Sequence, residues 1–151
     1  MGEFTPPVAR ATMLIRRPID EVFNAFIDPA VTTKFWYSRA SAPLKTGDTV
    51  TWHWDYHEVS VEVAVKVLEP NRRIQIEWPT PVEWLFTQVE TGTFVEISAY
   101  GFTGSMDEIV SQALDSTEGF NLVISACKAL LEHGIELNVV KDKDRSAGRV
   151  Q

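Results

Sequence analysis

The chain has 151 residues, a net charge of −7 at neutral pH and a single cysteine, Cys127. That length describes one domain with room for a core that needs no disulfide, and one thiol excludes an internal bridge. The negative balance argues against nonspecific nucleic-acid binding and against attraction to an anionic membrane, since both rest on Lys and Arg.

No apolar run reaches the ~18 residues that a bilayer span needs. The first ten residues show no basic-then-apolar leader pattern, so the expected location is cytoplasmic. Residues 1–7 read as a flexible arm ending in Pro6-Pro7. Val8 to Arg16 reads as a strand, with Ala9, Ala11, Met13 and Ile15 alternating against Arg10, Thr12 and Arg16. Pro18 opens a helix whose apolar face is Ile19, Val22, Phe23 and Phe26, and Asp28-Pro29 closes it. A second short helix is expected from about Ala30 to Trp36, followed by a loop from Ser38 to Asp48.

From Thr49 the period becomes two. Val50, Trp52, Trp54 and Tyr56 form one strand face, the odd-numbered Val59 to Val67 a second, and Ile74, Ile76 and Trp78 a third. Val82 to Glu90 and Thr93 to Phe102 add two more strands. Val95, Ile97 and Ala99 point inward there, and Phe94 and Tyr100 outward. Ser105 with Glu108 reads as a capping box for a short helix ending near Leu114. A second box, Asp115 with Glu118, opens the long helix that runs to Gly134. Its apolar stripe is Phe120, Val123, Ile124, Cys127, Leu130 and Leu131, with Asn121, Ser125, Lys128 and Glu132 on the opposite side. Cys127 lies on the stripe and reads as a small core residue. Residues 139–151 lack apolar periodicity and read as a disordered tail, leaving 8–138 as the folded domain.

Sequential strands with short turns pair antiparallel. The expected fold is therefore α+β: a curved antiparallel sheet of about six strands wrapped around a long C-terminal helix, with two short helices after the first strand. The space between sheet and helix is the expected site. This order of elements is similar to the START-like, or SRPBCC, helix-grip superfamily. Within it the chain resembles the branch named after the activator of heat-shock protein 90 ATPase. The carrying stretches are Arg17 to Phe23 with Asp28-Pro29, Trp36, Gly47-Asp48, Val67 to Ile74, Gly92-Thr93 and Gly101-Phe102. Gly119-Phe120 stands where such sequences often have Gly-Trp. The resemblance implies the helix-grip fold and admits ligand carriers, co-chaperone domains and cyclase- or aromatase-like enzymes.

The candidate ligand-binding residues are Trp52, Trp54, Tyr56, Trp78, Trp84, Phe35, Trp36, Phe120 and Ile124. Such rings can stack on a flat apolar molecule or simply fill the core, and the pattern leaves both open. They narrow the expected cavity, which favours a small ligand over a long lipid. His53, Asp55 and His57 form an H-x-D-x-H pattern, but at strand spacing it lies opposite the tryptophans, where it reads as a wet face rather than a metal site. No nucleophile motif, phosphate loop or zincin helix is present, so neither a catalytic residue nor a cofactor is expected. Arg39, Asp55 and Glu83 are the polar groups placed to reach a cavity mouth. The expected function is binding of a small hydrophobic or aromatic molecule. A co-chaperone-like interaction domain is the alternative, and a cyclase-like enzyme comes third because the inward set is almost wholly apolar. A homodimer through Phe94 and Tyr100 is a further expectation.

Overall fold

Alternating apolar residues cannot hide one face of a strand without a neighbour, and residues 49–99 solve this by pairing in sequence. The computed structural model describes residues 5–143. Its strands are β1 (Ala9–Ile15), β2 (Arg39–Ala40), β3 (Thr49–Trp54), β4 (Val59–Glu69), β5 (Arg73–Trp78), β6 (Thr80–Val89) and β7 (Gly92–Ala99). They form one antiparallel sheet in the order β1-β7-β6-β5-β4-β3-β2. The helices are α1 (Ile19–Ile27), α2 (Pro29–Thr32), α3 (Met106–His133) and α4 (Val139–Asp142). The fold is the expected α+β helix grip, with seven strands rather than about six. The addition is β2, two residues long, whose Arg39 and Ala40 pair with His53 and Trp52.

Helix α1 buries Val22, Phe23, Ala25 and Phe26 against the sheet. The Asp28 carboxylate then accepts from the Ala30 N–H at 3.0 Å and caps α2, with Pro29 at its first position. Helix α2 ends at Thr32, short of the expected Trp36. Val31, Thr32 and Thr33 are β-branched in a row, which weakens a helix. Thr32 is buried, and its hydroxyl donates back to the carbonyls of Ala25 and Asp28. Phe35, Trp36 and Tyr37 therefore leave the helix as a buried turn.

The last helix differs from expectation more. It is one helix of 28 residues, and Asp115 and Glu118 lie inside it rather than at its start. The true cap is Ser105, whose hydroxyl accepts from the Glu108 N–H at 3.2 Å while Glu108 accepts from the Ser105 N–H at 3.3 Å. Gly134, at φ 67°, closes the helix in the left-handed conformation. The side opposite the apolar stripe also holds the fold together. Lys128 Nζ donates to the Leu14 carbonyl at 2.7 Å and to Glu132 Oε2 at 2.6 Å. Glu132 also accepts from the Arg16 N–H at 2.8 Å, and Asn121 donates to the Arg10 carbonyl at 3.3 Å. Edge strands carry unpaired backbone groups, and α3 satisfies two of those on β1, the Arg10 and Leu14 carbonyls, with Asn121 and Lys128. Burial would raise the Glu132 carboxyl, but the Arg16 N–H and the Lys128 ammonium outweigh it, so its pKa is lowered.

Two breaks in the strand alternation shape the interior. The register of β4 against β5 shifts between Val65 and Val67, so Leu68, paired with Ile74, packs on the core in place of Val67. β3 stops at Trp54, and Asp55–His57 turn as a 3-10 segment, with Glu58 at φ 55° returning the chain to β4. Helix α4 also lies in the segment expected to be disordered. Lys143, just after it, pairs with Glu118 of α3 at 3.1 Å. Residues 1–4 of the expected arm and 144–151 of the expected tail lie outside the described residues.

Candidate functional site: an aromatic cleft between sheet and helix

The α3 helix packs along β1, at one end of the strand order, and a cleft of about 1000 Å³ separates its middle from the β3–β4 hairpin. Trp54, Tyr56, Val59, Val61 and Trp78 line the sheet side. Asp115, Ser116, Gly119, Phe120 and Val123 line the helix side, at the one-, three- and four-residue steps that put them on one arc. Trp36 completes the wall, and Val140 and Lys143 come from the C-terminal segment.

Five of the nine candidate residues, Trp36, Trp54, Tyr56, Trp78 and Phe120, thus border this space. Trp54 and Trp78 lie nearly parallel, with ring centres 5.4 Å apart and 8° between planes. The Phe120 ring meets Trp78 edge-on at 6.1 Å. The other four, Phe35, Trp52, Trp84 and Ile124, are buried in the core beneath and do not border the cleft. The volume of the space stands at the upper end of ordinary small-molecule pockets, about 300–1,000 Å³.

Trp36 is the centre of the aromatic system. It packs edge-on against Trp52 at 4.9 Å, Trp78 at 5.6 Å and Phe120 at 6.0 Å, and lies tilted against Trp84 at 6.0 Å. Its backbone carbonyl accepts from the Tyr56 hydroxyl at 3.1 Å. The same turn is tied further: the Asp55 N–H donates to Ser38 Oγ at 2.9 Å, and Arg39 pairs with the Asp55 carboxylate at 3.1 Å. Burial pushes the Tyr56 hydroxyl up to about 12. Burial does the same to Tyr37, also to about 12, against a lowering hydrogen bond with Thr32. Cys127 is fully buried, and burial drives its thiol far up, which leaves it an unreactive core group.

The polar groups are arranged differently from the expectation. Tyr56, Asp55 and His57 belong to the 3-10 turn, so Tyr56 does not continue the face of Trp54, and His53, Asp55 and His57 do not share a strand face. His53 Nδ1 lies 2.6 Å from Ser60 Oγ across the hairpin, while Asp55 faces Arg39. Among the described residues no three metal-ligating side chains cluster. Glu83 is not at the cleft; it pairs with Arg73 at 2.6 Å between β6 and β5. Asp55, Glu58 and Asp115 are exposed on the rim of the aromatic floor, which also carries His57 and Lys143. Asp115, Ser116 and Gly119 were legible only as a helix arc, and the false cap at Asp115 hid it.

A sheet gripping a long C-terminal helix across a ligand-sized cleft defines the helix-grip class. The sequence matches the family described as "Activator of Hsp90 ATPase homolog 1-like protein" over residues 16–132, and the chain belongs to that family. Its fold is similar to protein SSP2350 from Staphylococcus saprophyticus, at 28% identity and TM-score 0.77, covering 86% of this chain and 95% of that one. It is also similar to the Aha1 dimer from Colwellia psychrerythraea, at 18% identity and TM-score 0.71, covering 84% and 97%. DynU16, from the dynemicin biosynthetic locus, matches at 20% identity and TM-score 0.73, covering 85% of this chain and 48% of that longer one. No curated protein matches the sequence. Family and fold support a ligand-binding or co-chaperone-like domain. Among the described residues no helix is long and apolar enough to cross a membrane.

Proposed function

We propose that the protein binds a small, flat, apolar or aromatic molecule in the cleft between α3 and the β3–β4 hairpin. The observation that carries this reading is the wall of Trp36, Trp54, Tyr56, Trp78 and Phe120 facing a space of about 1000 Å³. Rings exposed to such a space gain by stacking on a ligand, and apolar burial at roughly 25 cal/mol per Å² supplies the affinity, less the cost of association. Native mass spectrometry of freshly purified protein tests the reading. An added small-molecule mass that is lost on denaturation is the expected result. A bare protein mass that persists after incubation with a panel of neutral bicyclic aromatics contradicts it.

A second reading, a co-chaperone-like interaction domain, is favoured by the family's description and by one surface feature. Met106, Val110 and Leu114 are exposed at four-residue spacing along α3. Calorimetry against a purified heat-shock protein 90 decides it: saturable binding supports this role, and no heat at high concentration counts against it. The similarity to a neighbour described as a dimer supports self-association, which the native mass also reads. Phe94 and Tyr100, the residues expected to mediate it, are each half-buried.

A further inference from the structure

Beneath the cleft lie two polar groups with no partner. The indole N–H groups of Trp52 and Trp84 are buried, and no hydrogen-bond acceptor reaches either among the described residues. Each ring is 1% exposed. A buried donor without an acceptor is costly, and such groups in folded proteins are nearly always satisfied. Indole nitrogen only donates, so what is missing is an acceptor.

Both rings pack against the same residue, Trp36, at 4.9 Å and 6.0 Å. Trp36 also borders the cleft, so one residue touches the open space and both rings that carry these donors. It belongs to neither a helix nor a strand. Its carbonyl is held by the hydroxyl of Tyr56, another cleft residue. A ligand that engages Tyr56 and the Trp36 ring therefore acts on a residue in direct contact with both indoles.

We propose that Trp52 and Trp84 form an inner polar subsite behind Trp36, which takes an uncharged oxygen acceptor at the leading end of an aromatic ligand. A ketone, quinone or ester carbonyl fits, since its oxygen has two lone pairs and needs no counter-charge. A carboxylate does not fit. The two indoles are neutral donors in apolar surroundings, so a carboxylate buried against them would keep its charge without a counter-charge. This inference rests on the cleft-binding reading and adds to it the chemical class of the ligand.

The test uses two probes of one shape: 2-acetylnaphthalene, and 2-isopropenylnaphthalene, in which a methylene group replaces the oxygen. The chain has five tryptophans, so its ¹⁵N-labelled form gives five indole N–H signals, assigned by single Trp→Phe variants. The expected result is that both probes shift the signals of Trp54 and Trp78. Only the ketone then moves the signal of Trp52, Trp84 or both downfield, and it binds about tenfold tighter, the value of one well-made hydrogen bond. If both probes fill the cleft equally and leave Trp52 and Trp84 alike, the subsite is refuted while the cleft reading stands. If neither probe moves Trp54 or Trp78, both fall together.

Discussion

The interior has two aromatic ends, and they behave differently. At one, Phe26 meets Phe35 edge-on at 5.4 Å and Phe86 at 6.0 Å, while Phe23 meets Phe86 at 5.1 Å. Helix α1 seals that end, and Phe26 is 2% exposed. At the other, Trp54, Trp78 and Phe120 are packed as closely to one another but border an open cleft. Ring content does not separate the two ends; the opposing surface does. α1 presents Val22, Phe23, Ala25 and Phe26 to the sheet, whereas α3 presents Ser116 and Gly119 to the cleft. No atom lies within 4 Å of where a side chain at Gly119 would begin. Trp36 touches both ends, packing on Trp84 and on Trp78.

The comparison is broken most severely at the sealed end. Phe26→Ala should cost about 3–5 kcal/mol by denaturant unfolding, because the void has no way to collapse. Remaining folded protein should still bind 2-acetylnaphthalene. Trp78→Ala at the open end should do the reverse. Trp78 is only partly buried, so the fold should lose about 1–2 kcal/mol. Affinity for the probe should fall by about tenfold or more, the effect of losing one stacking wall. Equal stability losses at the two sites would show that the cleft is core in all but shape.

A finer contrast concerns the tether between the ends. Tyr56→Phe removes the hydroxyl held by the Trp36 carbonyl. It should cost about 0.5–1.5 kcal/mol and raise the association rate of the probe in stopped-flow fluorescence, because Trp36 is released. The last contrast is one of pH and vanishes at neutrality. Tyr37 and Tyr56 both titrate near 12 in the fold against 10.0 for an ordinary tyrosine. The unfolded chain therefore loses these protons first. Their contribution to stability is complete below pH 10 and is lost as pH rises through 12. The urea midpoint should fall over that window, and the double Phe variant should flatten the fall.

Much of the fold was legible because its strands alternate cleanly. Ile74 and Ile76, or Val95, Ile97 and Ala99, can hide only on one face, and all are buried. The misses have particular causes. β2 has two residues and no pattern to show. The bulge at Lys66 exchanged Val67 for Leu68, and a bulge leaves no mark in a run of valines. Asp115 and Glu118 carry the spacing of a capping box, but Ala113 is buried just before them and the helix runs through. The aromatic residues were recognisable as a group, yet parity alone could not separate Trp54 and Trp78, at the cleft, from Trp52 and Trp84 beneath it. That division depends on Trp36, placed by a turn whose geometry is set by Thr32 and Tyr56 at long range.

The central claim is that the cleft is a binding site kept open by the shape of α3. Gly119→Leu tests it most directly, with 2-acetylnaphthalene titrated by calorimetry into both proteins. A leucine is a better helix former than glycine by roughly 0.5–1 kcal/mol, and it projects into empty space. The account predicts an equal or higher unfolding midpoint for the variant, one-site binding by the parent chain, and binding weakened by at least about tenfold in the variant. Undiminished binding by a well-folded Gly119→Leu protein would contradict it.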